Sequence, residues 1–168
     1  LDQIAFSSRH MGEIFIIDHS TTTEEAASHS GGNSGRGGDF LYRWGGPENY
    51  DTGSTTNNIL DSQHGLNWIP EGYPGEGNLL LFNNFHSGNN AAVLEIEPPL
   101  LEDGSYEYFD GEPYGPVIYL NVYDTNISSQ MQGGAFRMPN GNTFITEAED
   151  AEIKEVSSSG ELVYSYDY

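Results

Sequence analysis

The chain has 168 residues, enough for one domain with a sizeable core, and its 26 acidic residues against 5 basic ones give a formal net charge of -21. That balance argues against nucleic acid, whose phosphates need Lys and Arg to neutralise them, and equally against anionic membrane surfaces. Without cysteine, a disulfide framework and a thiolate metal site are both excluded.

The acid is spread along the chain, which reads as a solvated surface, and the scarcity of lysine suits salty or calcium-rich surroundings. The opening LDQIAF is neither a basic nor a long apolar segment, so no signal peptide is expected there. A start without Met suits a processed product or a fragment. No apolar run approaches the ~20 residues that span a bilayer.

In chain order, QIAFSSR and GEIFIIDHS predict two strands, with Arg9 and His10 at the point where one apolar run stops and the next begins. A solvated turn accounts for that pair, and so does a site that holds an anion. STTTEEAAS, 20 to 28, gives Thr21 and Glu24 the spacing of a capping box, but the glycine-rich SHSGGNSGRGGD after it favours loop throughout. That loop has the look of a phosphate cradle yet lacks the Gly-Lys-Ser/Thr element. His19 and His29 flank it and could take a metal with Asp18 or Asp39, but their spacing fits no standard ligand pattern. GDFLYRWGG predicts a third strand.

Beyond residue 60 the chain repeats itself. QHGLNWIPEG, 63 to 72, lines up with QGGAFRMPNG, 132 to 141. A Gly-Asn-opened strand follows each, GNLLLFNN and GNTFITEA; then AAVLEIEPP and AEIKEVSSSG; then VIYLNVYD and GELVYSYDY. Four strands per unit, joined by turns, predict an all-β, propeller-like chain of about three blades in one domain. The blades run over about 1–50, 62–124 and 130–168, the first without its innermost strand. Too few blades to close a ring predict completion by further blades, from this polypeptide or another. A β-sandwich also gives short strands but not this recurring order. Trp44 and Trp68 fall in the repeated frame as packing residues. The carboxylates of LEDGSYEYFDGE and EAEDAE would bind Ca²⁺ weakly at most, and neither matches an EF-hand. The segment at 126–128 matches the N-glycosylation acceptor pattern, short enough to arise by chance.

His64 opens a predicted innermost strand, where the next unit has Gly133. The plain reading of His64 is a histidine bonded to a neighbouring blade. The plain reading of Arg9 is a surface cation paired with one of many carboxylates.

SSRHMGEIFIIDHS with the glycine-rich insertion and LYRWGG, then QHGLNWIPEG with GNLLLFNN, then GGAFRMPNGNTFITE, resemble the arylsulfate sulfotransferase family from about residue 6 to the end. The resemblance implies a six-bladed β-propeller, secreted or periplasmic, that moves a sulfuryl group from an aryl sulfate donor to a phenolic acceptor. It uses no nucleotide cofactor and passes through a sulfohistidine. It makes His64 the nucleophile and Arg9 the clamp on the sulfuryl oxygens, with His10 and Arg137 in supporting substrate-binding roles. The chemistry fits: imidazole is a competent nucleophile near neutral pH, and a guanidinium offers paired donors to anionic oxygens. The family's upstream histidines have no counterpart here. EAEDAEIKEV departs from the family pattern, and Glu149, Asp150 and Glu152 are expected to present like charge to an incoming anion. The competing expectation is a non-catalytic extracellular propeller module whose open edges serve assembly or binding.

Overall fold

The computed structural model describes residues 1–88, 90–125 and 129–168, so the acceptor motif at 126–128 lies outside the described residues. Among the described residues the chain is all-β, with three antiparallel sheets, none of them closed. It divides into two compact units, Leu1–Asn58 with Pro98–Gly115, and Ile59–Glu97 with Pro116–Tyr168. Among the described residues no helix is long and apolar enough to cross a membrane.

The first unit holds β1 (Gln3–Ser8), β2 (Glu13–Asp18) and β3 (Tyr42–Trp44), hydrogen-bonded in that order. Alternation along β2 sends Ile14 and Ile16 to the face shared with Trp44 and Tyr42, and all four are buried. Phe15 goes to the opposite face and stacks on Phe6 and Phe40, with ring centroids 5.1 and 4.6 Å away. Arg43 lies on that face too. Its Nε and Nη2 donate to Glu13 Oε1 and Oε2 at 2.6 and 3.0 Å, and its guanidinium stacks 4.3 Å from the Tyr50 ring. Glu13 is fully buried, so the fork satisfies a carboxylate that would otherwise be stranded.

The segment Pro98–Gly115, far along the chain, completes this unit through tyrosines. Tyr106 packs on Tyr42 at 5.0 Å and donates to Gln3 Oε1. Tyr114 packs edge-on to Tyr42 and Tyr50. Tyr42 donates to Gly115 O at 2.6 Å. Burial pushes the Tyr42 hydroxyl well above its ordinary value, and that of Tyr106 up to about 12, so both act as neutral donors.

A single helical turn, α1 (Thr23–Ala26), forms where the sequence favoured loop. The capping box falls one residue later than the spacing suggested. Thr21 turns its hydroxyl back to Asp18 O, so Thr22 caps, accepting from Glu25 N while Glu25 accepts from Thr22 N.

The second unit holds two four-stranded meanders. One is β4 (His64–Trp68), β5 (Leu79–Ser87), β6 (Asn90–Ile96) and β7 (Leu120–Asp124); the other is β8 (Gly134–Arg137), β9 (Thr143–Glu147), β10 (Glu152–Val156) and β11 (Leu162–Asp167). They pack on a shared core of Leu80, Phe82, Ala91 and Val93 from the first sheet with Ala135, Ile145 and Val156 from the second. Leu79, Leu81, Leu94 and Ile96, on the other face of β5 and β6, are also fully buried, which is why those strands read as unbroken apolar runs. Each such side chain contributes about 1.5–3 kcal/mol by leaving water. In contrast, β11 is exposed along its whole length.

Candidate functional site

His64 is the first residue of β4, the edge strand of its sheet. It stands opposite Phe82, while three residues on, Asn67 stands opposite Leu80, so β4 carries one extra residue. Gly65 takes φ +65 at this bulge, a left-handed conformation natural to glycine. The close packing requires glycine as well: a Cβ there would come within 2.8 Å of Gly134 Cα. Asn67 ties the bulge down, its Nδ2 donating to Gly65 O and to Ala135 O, both at 2.8 Å.

The His64 ring is half-buried, and its Nδ1 lies 2.8 Å from Asn84 Oδ1. Asn84 is fully buried, and its Nδ2 reaches Ser129 O at 2.8 Å and Gln132 O at 2.9 Å. It sits where the β5–β6 ladder loses register, between Asn83 and Ser87. Asn83 works on the segment before β4, accepting from Asp61 N and donating to Ile59 O. The sequence reading passed over both asparagines. The signal was there: two amides ending a buried apolar strand need partners, because an unpaired buried amide costs about 1–3 kcal/mol.

At Gly133, the counterpart of His64 in the repeat, φ is +103 and a Cβ would fall 2.7 Å from the Phe82 ring. Packing alone therefore demands glycine there, and the His/Gly contrast is partly steric in origin.

Arg137 ends β8. Its Nη2 donates to Glu95 Oε2 at 2.5 Å, Nη1 to Pro74 O and Nε to Thr143 Oγ1, with the side chain buried. Gly65 lies against Gly134 at the start of β8, and Arg137 ends that strand, about 10 Å further along its backbone. Arg137 borders a polar cleft of about 250 Å³ that also includes Pro74, Asn121 and Ser159.

In the first unit, Arg9 is half-buried and His10 exposed in the turn between β1 and β2. His19 pairs with Asp2 at 2.8 Å and His29 with Asp39 at 2.7 Å, both exposed. No group of three metal-ligating side chains occurs among the described residues.

The glycine-rich loop does cradle an anion, one supplied by the chain itself. Asp18 is buried; its Oδ1 accepts from Ser20 N at 2.9 Å and from Ser20 Oγ, and its Oδ2 accepts from Ser34 N at 2.7 Å. Burial raises its pKa, but the bonds from Ser20 and Ser34 outweigh this and hold it well below the usual 3.8. A depressed carboxylate pKa stabilises the fold above the unfolded value and loses that contribution as pH falls. Asp18→Asn is therefore expected to lose about 1–3 kcal/mol at pH 7. Urea unfolding of both proteins should show the gap closing below about pH 4.

The carboxylates expected to repel an anion are partly spoken for. Glu152 and Glu147 both bind Lys154 Nζ, at 2.8 and 3.0 Å, and Glu149 accepts from Gln130 N at 2.5 Å. A scan against family models finds no match to this chain, and a search of curated proteins finds none either.

Proposed function

We propose that the four-stranded sheets are consecutive blades of a β-propeller, and that the protein moves a sulfuryl group from an aryl sulfate to a phenol through His64, without a nucleotide cofactor. The observation that carries this reading is the setting of His64: a half-buried imidazole at a glycine bulge on the first strand of a sheet, its Nδ1 anchored on a buried amide. Two exposed histidines of the chain sit on surface carboxylates instead.

The blade arrangement is supported by the first strands of the two sheets. β4 and β8 run side by side, Gly65 beside Gly134 and Asn67 bonded to Ala135 O, while β11 at the far edge is solvent-exposed. Contact between first strands, with β11 exposed at the far edge, suits wedges that converge on an axis.

In the first half-reaction a lone pair of the imidazole forms the N–S bond as the aryl O–S bond breaks, and the phenolate leaves with that electron pair. In the second, a phenol oxygen attacks sulfur, the N–S bond breaks back to the ring and the phenol proton passes to solvent. Splitting the transfer replaces one difficult step by two easier ones. Further blades, from this polypeptide or another, complete the ring in an extracellular or periplasmic setting. Incubation with para-nitrophenyl sulfate tests the reading: nitrophenolate release that rises with added phenol supports it, and no release overturns it.

A second reading, an assembly module, is favoured by one observation. Leu162, Val163, Tyr164 and Tyr166 of edge strand β11, and Tyr168 just after it, are each more than half exposed. Such an edge invites pairing with another chain. With a net charge of -21, copies repel at low salt, so light scattering should show association that grows with ionic strength. Tyr164→Lys should abolish it; a monomer at all salt concentrations would exclude this reading.

A further inference from the structure

We infer that Asn84 is a positioning residue that fixes which nitrogen of His64 reacts: it holds the ring proton on Nδ1 and leaves the lone pair of the neutral imidazole on Nε2. The amide nitrogen of Asn84 has two N–H bonds, and it faces Ser129 O at 2.8 Å and Gln132 O at 2.9 Å. Backbone carbonyls only accept, so the amide is locked; flipping it would set its oxygen against two oxygens. Its Oδ1 must therefore be the atom 2.8 Å from His64 Nδ1, and an oxygen there requires a proton on Nδ1. In water the neutral histidine ring prefers its proton on Nε2, so the contact reverses the default. No described residue hydrogen-bonds Nε2.

The device is rigid because Asn84 is fully buried in the stretch where the β5–β6 ladder breaks, its side chain taking partners that the ladder does not supply. The backing group is also neutral. A carboxylate in the same place would favour the imidazolium and withdraw the lone pair; an amide fixes the tautomer without adding that bias. While the N–S bond forms at Nε2 and the phenolate departs, the Nδ1–H bond to Asn84 persists, so the ring returns in the same tautomer.

The tautomer stands on geometry alone, and only its catalytic consequence rests on the reading of His64 as nucleophile. Long-range ¹H–¹⁵N correlation NMR on the whole chain, at a pH where His64 is neutral, reads the tautomer without turnover. The expected spectrum has a protonated Nδ1 and an unprotonated Nε2. A protonated Nε2, or a mixed population, overturns the inference whether or not sulfuryl transfer occurs. A locked tautomer without transfer would retire the enzymatic reading and leave this one standing. Asn84→Ala removes the acceptor facing Nδ1, so the neutral ring of a folded variant should move its proton toward Nε2; a spectrum unchanged by the substitution contradicts the assignment. Where transfer is measurable, Asn84→Ala should lower kcat roughly 10- to 100-fold with KM little changed.

Discussion

Lys154→Met is expected to destabilise the protein by about 3–5 kcal/mol, because it strips the counter-charge from a buried carboxylate. The reason lies in strand register. Glu147 of β9 and Glu152 of β10 stand directly opposite one another, an arrangement that repels. Lys154, two residues further along the same face of β10, reaches back between them, with Nζ 3.0 Å from Glu147 Oε2 and 2.8 Å from Glu152 Oε2. Glu147 is fully buried, and no described residue bonds its Oε1. Burial already pushes its pKa up against the pull of Lys154; burial also lowers that of Lys154, but the two carboxylates outweigh it and leave it raised. Removing the ammonium leaves a buried charge without compensation. The native state then binds a proton more readily than the unfolded chain, so the variant's deficit should shrink as pH falls from 7 toward 5. Adding Glu147→Gln should recover part of the loss. Urea denaturation of the single and double variants checks this; a Lys154→Met protein as stable as the parent would show that the pair carries no weight.

His64→Ala is expected to abolish transfer from para-nitrophenyl sulfate to phenol, a fall of at least about 10³-fold, because a methyl group cannot form the covalent intermediate. The same change removes the donor facing Asn84 Oδ1, a fully buried atom's partner, at an expected cost of about 1–3 kcal/mol in stability. The two effects separate in the assay. A partly destabilised but folded variant loses all turnover if the ring is the nucleophile, and keeps turnover in proportion to its folded fraction if the ring is structural. Thermal melts read beside the kinetics make that distinction.

Most of the strands were legible because they pack an alternating or continuous apolar face, and short turns rich in Gly and Asn separate them; β11 alternates apolar residues but lies exposed. LLLF of β5 and AAVLEI of β6 could only be deeply buried strands, and they are. The segment between β6 and β7 was opaque. LEDGSYEYFDGE shows acid and aromatics without a period, and its structure comes from distant tyrosines, Tyr106 and Tyr114 against Tyr42. Local patterning cannot report such a partner.

The candidate site was half legible. His64 stood out by its place in the repeat, while Asn84, which anchors it, looked like one more polar residue at a strand end. The cations misled in a physical way. Arg137 looked available for an anionic substrate, yet it satisfies Glu95, as Arg43 satisfies Glu13 and Lys154 the Glu147–Glu152 pair. A buried carboxylate inside a strand, as in GEIF or AVLEI, is the sequence signal that a cation will be drawn inward to meet it.

The account stands most directly on a covalent adduct. The protein is mixed with an aryl sulfate in the absence of acceptor, quenched at alkaline pH and digested, and the peptide containing His64 is weighed. The account predicts a gain of about 80 Da on the imidazole of His64, lost again when phenol is added before the quench. A His64 peptide of unchanged mass, in protein that releases the phenol at a measurable rate, would contradict it.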